Sequence, residues 1–519
     1  SGLYGSHAIG GVINIITKRG TKPSQATVTV AGGYPAQAQA SATLSGVTGK
    51  FDYALSGGID EEAGFDYTPK RMKGVYANHQ DPYRSRLGSL SLGYTPVQGT
   101  RVYAILRAQG TDSASPNLDY PVYDDPNNYF YNSSFFGKLG VSSTLLGGRL
   151  STDLFVAQMQ DNIHNRNLLD ANDPNQASAN DIYHGYRTDT QWNNTLRLSD
   201  AGPFTFSSLL FGTEYSNDTA HEAVNEESGG YTTYLRASQH SWSGHAGLQT
   251  TIADRFTLTG AVRDDTVSSF GSAVTWRVGG VLALPEIDAT LKGSVGTGFL
   301  APSLFDLHYV DNYGDSGNPN LRPERSTGWE IGPQFDIPAF GRADFASISA
   351  TYFFTSIRNL IQSVATSNYT YMEENVARAN INGVETDYVL NPASWFSAEV
   401  NYTYTRAVSG TDGSALLRRP QNAGSATVTI KPLPGLSIVP QVQYVGRFSD
   451  YLYGNDGYMT GIGSADPGTV VNLNVTYRLN GKFTLFATGK NILNSNFESA
   501  NGLQIAGASM LIGVRAQME

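Results

Sequence analysis

The chain has 519 residues, only 15% of them charged, and a formal net charge of −10 at neutral pH. A negative charge of this size disfavours binding to the phosphates of nucleic acids. The sequence contains no cysteine, so disulfide bonds do not stabilise the fold. It also lacks an apolar run of about 18 residues, the length that predicts a transmembrane helix. Glycine (56 residues) and tyrosine (30 residues) are abundant, which suits many strands and turns flanked by aromatic side chains.

The first predicted element is a short strand close to the start of the chain. The run Val12–Ile16 is rich in β-branched residues, which favour extended structure. Gly10 and Gly11 precede it and permit a tight turn or a close backbone approach. On this pattern alone, an ordinary buried strand after a glycine-rich loop fits as well as a more specialised segment.

Beyond Gly20 the sequence shows no helical period of useful length, and apolar and polar residues alternate instead. A period of two predicts strands with one apolar and one polar face. The clearest segments are Thr251–Asp264, Ser347–Arg358, Ser394–Thr405 and Val470–Asn480. A tilted strand needs about 9–11 residues to cross a bilayer, whereas strands of water-soluble proteins average about 5–6 residues. The length of the segments therefore favours a membrane barrel, while a soluble sandwich or propeller stays open as an alternative.

The connections between these segments differ strongly in length. Arg478–Lys482 predicts a tight hairpin turn between two alternating runs. Other connections are long and polar, namely Asp112–Asn132, Asp161–Thr190, Asn217–Ser238 and Tyr444–Gly468. Short turns at one end and long loops at the other are typical of outer-membrane barrels.

Four blocks of sequence resemble TonB-dependent outer-membrane receptors, and they occur in the order expected for that family. Residues 1–20 resemble the last part of the plug domain, which ends in a pattern like LYGS-x-A-x-GGVINI-x-T. Gly296–Gly332 carries GTGFLAP and then GNPNLRPERS, with Glu330 on the next strand. Asn380–Arg419 contains INGVE, and Thr488–Asn494 reads TGKNILN.

The resemblance implies an all-β fold, a transmembrane antiparallel β-barrel of 22 strands. Residues 1–20 are then the C-terminal end of the plug, and residues 21–519 form the barrel, whose first strand is expected around Ala26–Ala31. The rest of the plug and the region that contacts TonB are expected to precede Ser1. The other end differs from the usual pattern of outer-membrane barrels, because the chain finishes on Met518 and Glu519 instead of an aromatic residue.

The resemblance also implies the function and the location. The expected protein lies in the outer membrane of a Gram-negative bacterium, binds a scarce metal chelate in its extracellular loops and imports it into the periplasm. Phe270–Arg277 and Leu417–Pro420 look most like receptors for cobalamin. Receptors for heme or a ferric siderophore remain an alternative, because His308 lies between two boxes that heme receptors also carry. A passive pore or adhesin is a further alternative, and no nucleophile elbow, phosphate loop or zinc motif predicts an enzyme.

Aromatic and acidic clusters in the predicted loops are the candidate ligand-binding groups. Tyrosine rings can stack on a large flat ligand, and histidine can ligate heme iron. The residues predicted to bind substrate are Tyr120, Tyr123, Tyr129, Tyr131, His308, Tyr309 and Tyr313. Asp119, Asp124 and Asp125 could hold calcium, which the resemblance to cobalamin receptors permits. A solvated loop with tyrosines at the membrane rim is the alternative, and no cofactor is required.

Overall fold

The structure is a computed structural model that describes Gly5 and residues 9–14, 17, 19–21, 23–72, 80–114, 127–167, 169, 179–226, 230–366 and 370–518. Within these ranges the chain forms 26 strands and one short α-helix, α1 (Leu304–His308). Short 3-10 turns lie at Lys70–Met72, Leu146–Gly148 and Pro285–Ile287. No helix in the described ranges is long and apolar enough to cross a membrane.

Twenty-two of the strands in the described ranges form one closed antiparallel sheet. In chain order all strands are β1 (Gln25–Tyr34), β2 (Gln37–Thr48), β3 (Phe51–Glu62), β4 (Tyr83–Val97), β5 (Thr100–Ala114), β6 (Tyr129–Leu145), β7 (Leu150–Asn167), β8 (Ala179–Arg197), β9 (Phe204–Glu226), β10 (Gly230–Ile252), β11 (Phe256–Val267), β12 (Gly271–Leu284), β13 (Ala289–Leu300), β14 (Glu324–Ala339), β15 (Arg342–Ala365), β16 (Tyr371–Ala393), β17 (Phe396–Ser409), β18 (Asn422–Ile430), β19 (Leu436–Val445), β20 (Phe448–Tyr453), β21 (Met459–Ala465), β22 (Gly468–Arg478), β23 (Phe483–Lys490), β24 (Glu498–Ala500), β25 (Leu503–Gln504) and β26 (Ser509–Met518).

The barrel closes between its first and last strands. Along the chain each barrel strand pairs with the next one, β19 pairs with β22, and β23 pairs with β26. The closing pair joins β1 to β26, with Ala26 opposite Met518. Because closure removes both sheet edges, every backbone donor and acceptor in the wall can bond to a neighbouring strand. The predicted all-β transmembrane barrel of 22 strands is confirmed.

Each strand has one face turned outwards and one turned to the lumen. On β10, Trp242 and Leu248 are apolar and exposed, at 59% and 44%, so they face lipid. Ser243 and His245 have the opposite parity and point to the lumen, where Ser243 is buried in a polar network. Residues directly paired across an antiparallel sheet share a face, so this assignment extends from strand to strand around the barrel.

The two ends of the barrel differ in the length of their longest connections. At the turn end, strands are joined by short connections such as residues 49–50, 340–341 and 479–482. At the loop end several connections are much longer, and the largest are residues 63–82, 301–323, 446–467 and 491–508. Strands β20 and β21 form a separate hairpin inside residues 446–467, and β24 and β25 form one inside residues 491–508. The loop end is the extracellular end by the usual asymmetry of such barrels.

Candidate functional site: the loop-end mouth and the barrel lumen

One wall of the mouth is residues 301–323, the loop between β13 and β14. It starts with α1, which is fixed by a capping box: Ser303 Oγ accepts from the Asp306 N–H, and the Asp306 carboxylate accepts from the Ser303 N–H. Leu304 and Leu307 on α1 are buried, as is Phe299 at the end of β13. The loop is therefore held in one place at the mouth by its own helix and by apolar contacts.

Three of the predicted binding residues lie on this loop. Tyr309 is half-buried, stacks on Phe305 with ring centres 4.3 Å apart, and meets the edge of Tyr234 at 5.9 Å. Burial raises the pKa of the Tyr309 hydroxyl, and nearby acidic groups raise it further, so the hydroxyl stays protonated. His308 is exposed and Tyr313 is 85% exposed, so both are accessible from outside.

The other predicted tyrosines lie elsewhere. Tyr129 and Tyr131 open β6, with ring centres 6.0 Å apart, and Tyr131 also contacts His164. They share the parity of the lipid-facing Leu139 and therefore lie on the outer wall above the membrane, away from the lumen. The remaining predicted binding and calcium residues, Tyr120, Tyr123, Asp119, Asp124 and Asp125, lie outside the described residues. Among the described residues, no group of three or more His, Cys, Asp or Glu side chains could hold a metal ion.

The opposite wall of the mouth joins several loops through Arg71. The barrel order places β3 and β4 ten strands away from β13 and β14 in a ring of 22. From the loop between β3 and β4, Arg71 donates two parallel hydrogen bonds to Glu498, at 2.7 and 2.9 Å, and a third to the Tyr453 carbonyl at 2.6 Å. Burial alone would raise the pKa of Glu498, but hydrogen bonds from Arg71 and from the Gly502 N–H outweigh it and leave the pKa below its usual value.

A second buried acid completes this set of loop contacts. The Asp450 side chain is fully buried, and it accepts hydrogen bonds from Arg418 Nε and from the Asn501 N–H, both at 2.9 Å. Asn501 in turn accepts from the Tyr453 N–H at 2.7 Å. We call Arg71, Arg418, Asp450, Glu498 and Asn501 the rim network. It connects the loops 63–82, 410–421, 446–467 and 491–508.

Below the mouth, the inner wall carries a second network centred on Arg263 of β11. Arg263 donates to Asp265 at 3.0 Å, to Glu214 at 3.0 Å and to Ser243 at 2.6 Å. The side chains of Arg263 and Asp265 are each only 4% exposed. Gly5 from the N-terminal segment packs directly on the guanidinium, because a Cβ atom on Gly5 would lie 2.9 Å from Arg263 Nη2.

Arg187 of β8 extends this network along the wall. It donates to Asp189 at 3.1 Å and to Asp218 at 3.2 Å, and its guanidinium lies 3.8 Å from Glu214. The two arginines together contact four carboxylates, of which Glu214 is common to both, and we call these six side chains the lumen network. The network links β8, β9 and β11, because each arginine contacts acids on more than one strand.

The sequence carries one signal for the lumen network besides the alternation of apolar and polar residues. Arg263 and Asp265 stand two positions apart on one strand, and so do Arg187 and Asp189. Residues at this spacing share a face of a strand. Opposite charges at this spacing, in a chain with few charges, mark a polar lumen-facing stripe. The rim network left no such signal, since Arg71 and Glu498 are 427 positions apart.

A closed barrel of 22 antiparallel strands, apolar outside and polar inside, with long loops at one end, is an outer-membrane barrel of the transporter class. The family model described as "TonB dependent receptor-like, beta-barrel" matches residues 28–492. The chain therefore belongs to the TonB-dependent receptor family and is a protein of the Gram-negative outer membrane. The family is one of receptors and transporters.

Related proteins and structures agree with this membership. The chain is 25% identical to a vitamin B12 transporter of Vibrio cholerae over 99% of its length and 77% of the relative. It is also 25% identical to a vitamin B12 transporter of Photobacterium profundum, over 82% of the chain and 64% of the relative. Among solved structures it matches a ferric enterobactin receptor of Pseudomonas aeruginosa (TM-score 0.79, 18% identity, 100% of this chain and 84% of that one). It also matches the siderophore receptor PirA of Acinetobacter baumannii (TM-score 0.81, 16% identity, the same coverage).

Proposed function

We propose that this receptor binds cobalamin at its loop-end mouth and imports it into the periplasm. The observation that carries the proposal is the set of vitamin B12 transporters aligned over nearly the whole chain, including a match of 25% identity across 99% of it. The family resemblance of Phe270–Arg277 and Leu417–Pro420 supports the same ligand. The solved siderophore receptors share the fold at 16–18% identity, a level that shows the fold and does not specify the ligand.

Ligand capture would take place between the two walls of the mouth. His308 and Tyr313 are exposed on residues 301–323, and the rim network holds the loops of the opposite wall. A large, relatively rigid ligand is bound best by a site whose walls are already ordered, because less entropy is lost on binding. Energy for release into the periplasm would come through TonB, as the name of the family implies.

Direct binding to the purified receptor in detergent tests the ligand. Cyanocobalamin, heme and ferric enterobactin would be titrated separately, with and without calcium. We expect saturable binding of cobalamin at least about 100-fold tighter than that of the other two, a difference of roughly 2.7 kcal/mol. Tyr313→Ala should weaken cobalamin binding, and the distant outward-facing change Leu139→Ala should leave it unaltered.

The calcium arm tests the predicted carboxylate cluster Asp119, Asp124 and Asp125. If these residues hold calcium in the loop, removing calcium with a chelator should weaken cobalamin binding by the native protein. The same treatment should not change the cobalamin affinity of Asp124→Asn. Preferential binding of heme that is abolished by His308→Ala would replace cobalamin with heme as the ligand. Preferential binding of the ferric siderophore would establish the siderophore alternative.

A passive pore is tested separately in planar bilayers with the full-length receptor. A gated receptor should show little ion conductance in the absence of ligand. Free conductance would contradict gated import even if a ligand bound to the loops.

A further inference from the structure

Histidines are concentrated on the outer wall of the barrel, where the proposed transport function does not use them. His164, His184 and His221 lie on the three consecutive strands β7, β8 and β9. His184 and His221 are directly opposite each other across the β8–β9 pair, so they share one face of the sheet. The same parity carries the exposed aromatic residues Tyr186 and Trp192, so this face is the outside of the barrel.

The two imidazole rings are arranged as a pair. Their planes lie within 2° of parallel, and their centres are 6.1 Å apart. Both side chains are half-buried, so they are ordered by their neighbours yet still reachable from solvent. Two imidazoles that bind one ion each place a nitrogen about 2.0–2.1 Å from it. With ring centres 6.1 Å apart, rotation of the side chains can bring one nitrogen of each ring to a common ion.

A hydrogen bond to Asn162 selects which nitrogen of His184 is available. Asn162 lies directly opposite His184 on β7, and its Oδ1 is 2.6 Å from His184 Nδ1. An amide oxygen only accepts, so Nδ1 carries the proton and Nε2 keeps its lone pair. Metal-binding histidines characteristically donate their other ring N–H to an oxygen in this way, which fixes the tautomer and the orientation of the ring.

We infer that His184 and His221 form a two-histidine site for a divalent transition-metal ion on the outer wall of the barrel. Imidazole favours Cu²⁺, Ni²⁺ and Zn²⁺ over Ca²⁺ and Mg²⁺, which prefer oxygen ligands. Two protein ligands leave the remaining coordination positions to water, consistent with the lack of any group of three or more such side chains among the described residues. Arg236 lies opposite His221 on β10, and its positive charge limits the affinity.

This site differs from the proposed ligand site in position and in chemistry. The mouth would bind a whole metal chelate between extracellular loops. The histidine pair faces outwards from β8 and β9 near their loop end and would bind a bare ion. Removing the pair should therefore leave cobalamin binding intact, and failure of either proposal leaves the other standing.

The test is a Cu²⁺ titration of the purified receptor in detergent, expressed without a histidine tag. Calorimetry gives the stoichiometry, and electron paramagnetic resonance of the bound copper reports its nitrogen ligands. We expect one site with two imidazole nitrogens. His184→Ala and His221→Ala should each reduce the affinity by at least about tenfold, and Asn162→Ala should reduce it less, by loss of ring orientation.

His308→Ala is the matched control, because His308 is an exposed histidine on residues 301–323 and does not lie on the outer face of β8 and β9. The affinity of this variant for Cu²⁺ should equal that of the native protein. Heat-dependent gel migration confirms that each variant still forms the barrel. Copper that binds equally well to the His184→Ala/His221→Ala double variant would overturn the inference. A paramagnetic resonance spectrum that shows only one nitrogen ligand to copper would overturn the inference as well, and so would loss of copper binding in His308→Ala.

Discussion

The two faces of β8–β11 lie in two different environments, the polar lumen and the lipid. On the inner face, Arg187 and Arg263 are surrounded by carboxylates, and Arg263 and Asp265 are almost completely buried. On the outer face of the same strands, Trp242 and Leu248 are exposed to lipid. A charge is stabilised inside because partners on neighbouring strands surround it, whereas the outside offers no partner at membrane depth. Whether a side chain faces the lumen or the lipid therefore decides its effect on stability more than its residue type does.

The strongest way to break this contrast is to remove the central cation of the inner face. Arg263→Ala leaves Asp265 and Glu214 in a buried site without their main hydrogen-bond donor. Breaking a buried pair from one side costs about 3–5 kcal/mol of unfolding free energy. The expected result is a barrel that unfolds at clearly lower temperature, measured by heat-dependent gel migration and by circular dichroism in detergent.

Arg277→Ala is the control for this change. Arg277 also faces the lumen and pairs with Glu330 at 2.7 Å, but both side chains are about half exposed. An exposed ion pair contributes about 0–1 kcal/mol, so the unfolding temperature should barely move. Equal losses in the two variants would show that the lumen network contributes no more than an ordinary surface pair.

Placing the same positive charge first on the lipid face and then on the lumen face of β10 compares the two environments directly. Leu248→Arg puts a cation on the lipid face of β10, where such a change costs about 2–4 kcal/mol at the bilayer midplane. Gln249→Arg puts the same side chain one position further on, facing the lumen, and should be tolerated. The yield of folded barrel in outer membranes and its unfolding in lipid vesicles measure the difference. If Gln249→Arg were as damaging as Leu248→Arg, our assignment of the two faces would be wrong.

Much of the fold could be predicted from the alternation, because strand period and burial are local properties of the sequence. Ser347–Arg358 lies within β15, and Val470–Asn480 coincides closely with β22. Thr251–Asp264, by contrast, contains the turn between β10 and β11, where Ala253 and Asp254 adopt positive φ angles of 52° and 56°. No glycine marks that turn, so the sequence lacks the usual signal for it.

The long polar stretches were predicted as loops, but the structure continues strands through much of them. Asn217–Ser238 is mostly β9 and β10. These strands rise beyond the membrane, where both faces can be polar, so alternation no longer identifies them. The rim network could not be predicted, because it depends on which loops meet in space. Arg71 and Glu498 become neighbours only through closure of the barrel.

Replacing Arg71 in the rim network by alanine should have a smaller effect, confined to the loops at the mouth. It removes three hydrogen bonds to Glu498 and Tyr453, and bonds to a charged group are worth about 1.5–3 kcal/mol. We expect faster hydrogen exchange at the backbone N–H groups of Gly502 and Tyr453. Arg84→Ala removes an outward-facing and nearly half-exposed pair with Glu61, so exchange in the rim should stay unchanged. No acceleration in Arg71→Ala would mean that the loops are ordered without the rim network.

The smallest effect we predict concerns pH and a buried acid at the mouth. Burial, and then the charge of Asp66, raise the pKa of Asp81 to about 6. The folded loop therefore holds a proton that the unfolded loop releases near the usual value of about 3.9. Stability of the loop then falls as pH rises from about 4 to 6, since the folded state binds more protons in that window. Asp81→Asn should remove this slope and protect the loop from proteolysis at pH 7.

Asp412 offers a control on an exposed loop, because hydrogen bonds with Ser409 and Ser414 lower its pKa to about 2. Asp412→Asn should leave the slope between pH 4 and 6 unchanged, and a slope that survives Asp81→Asn would assign it to another group.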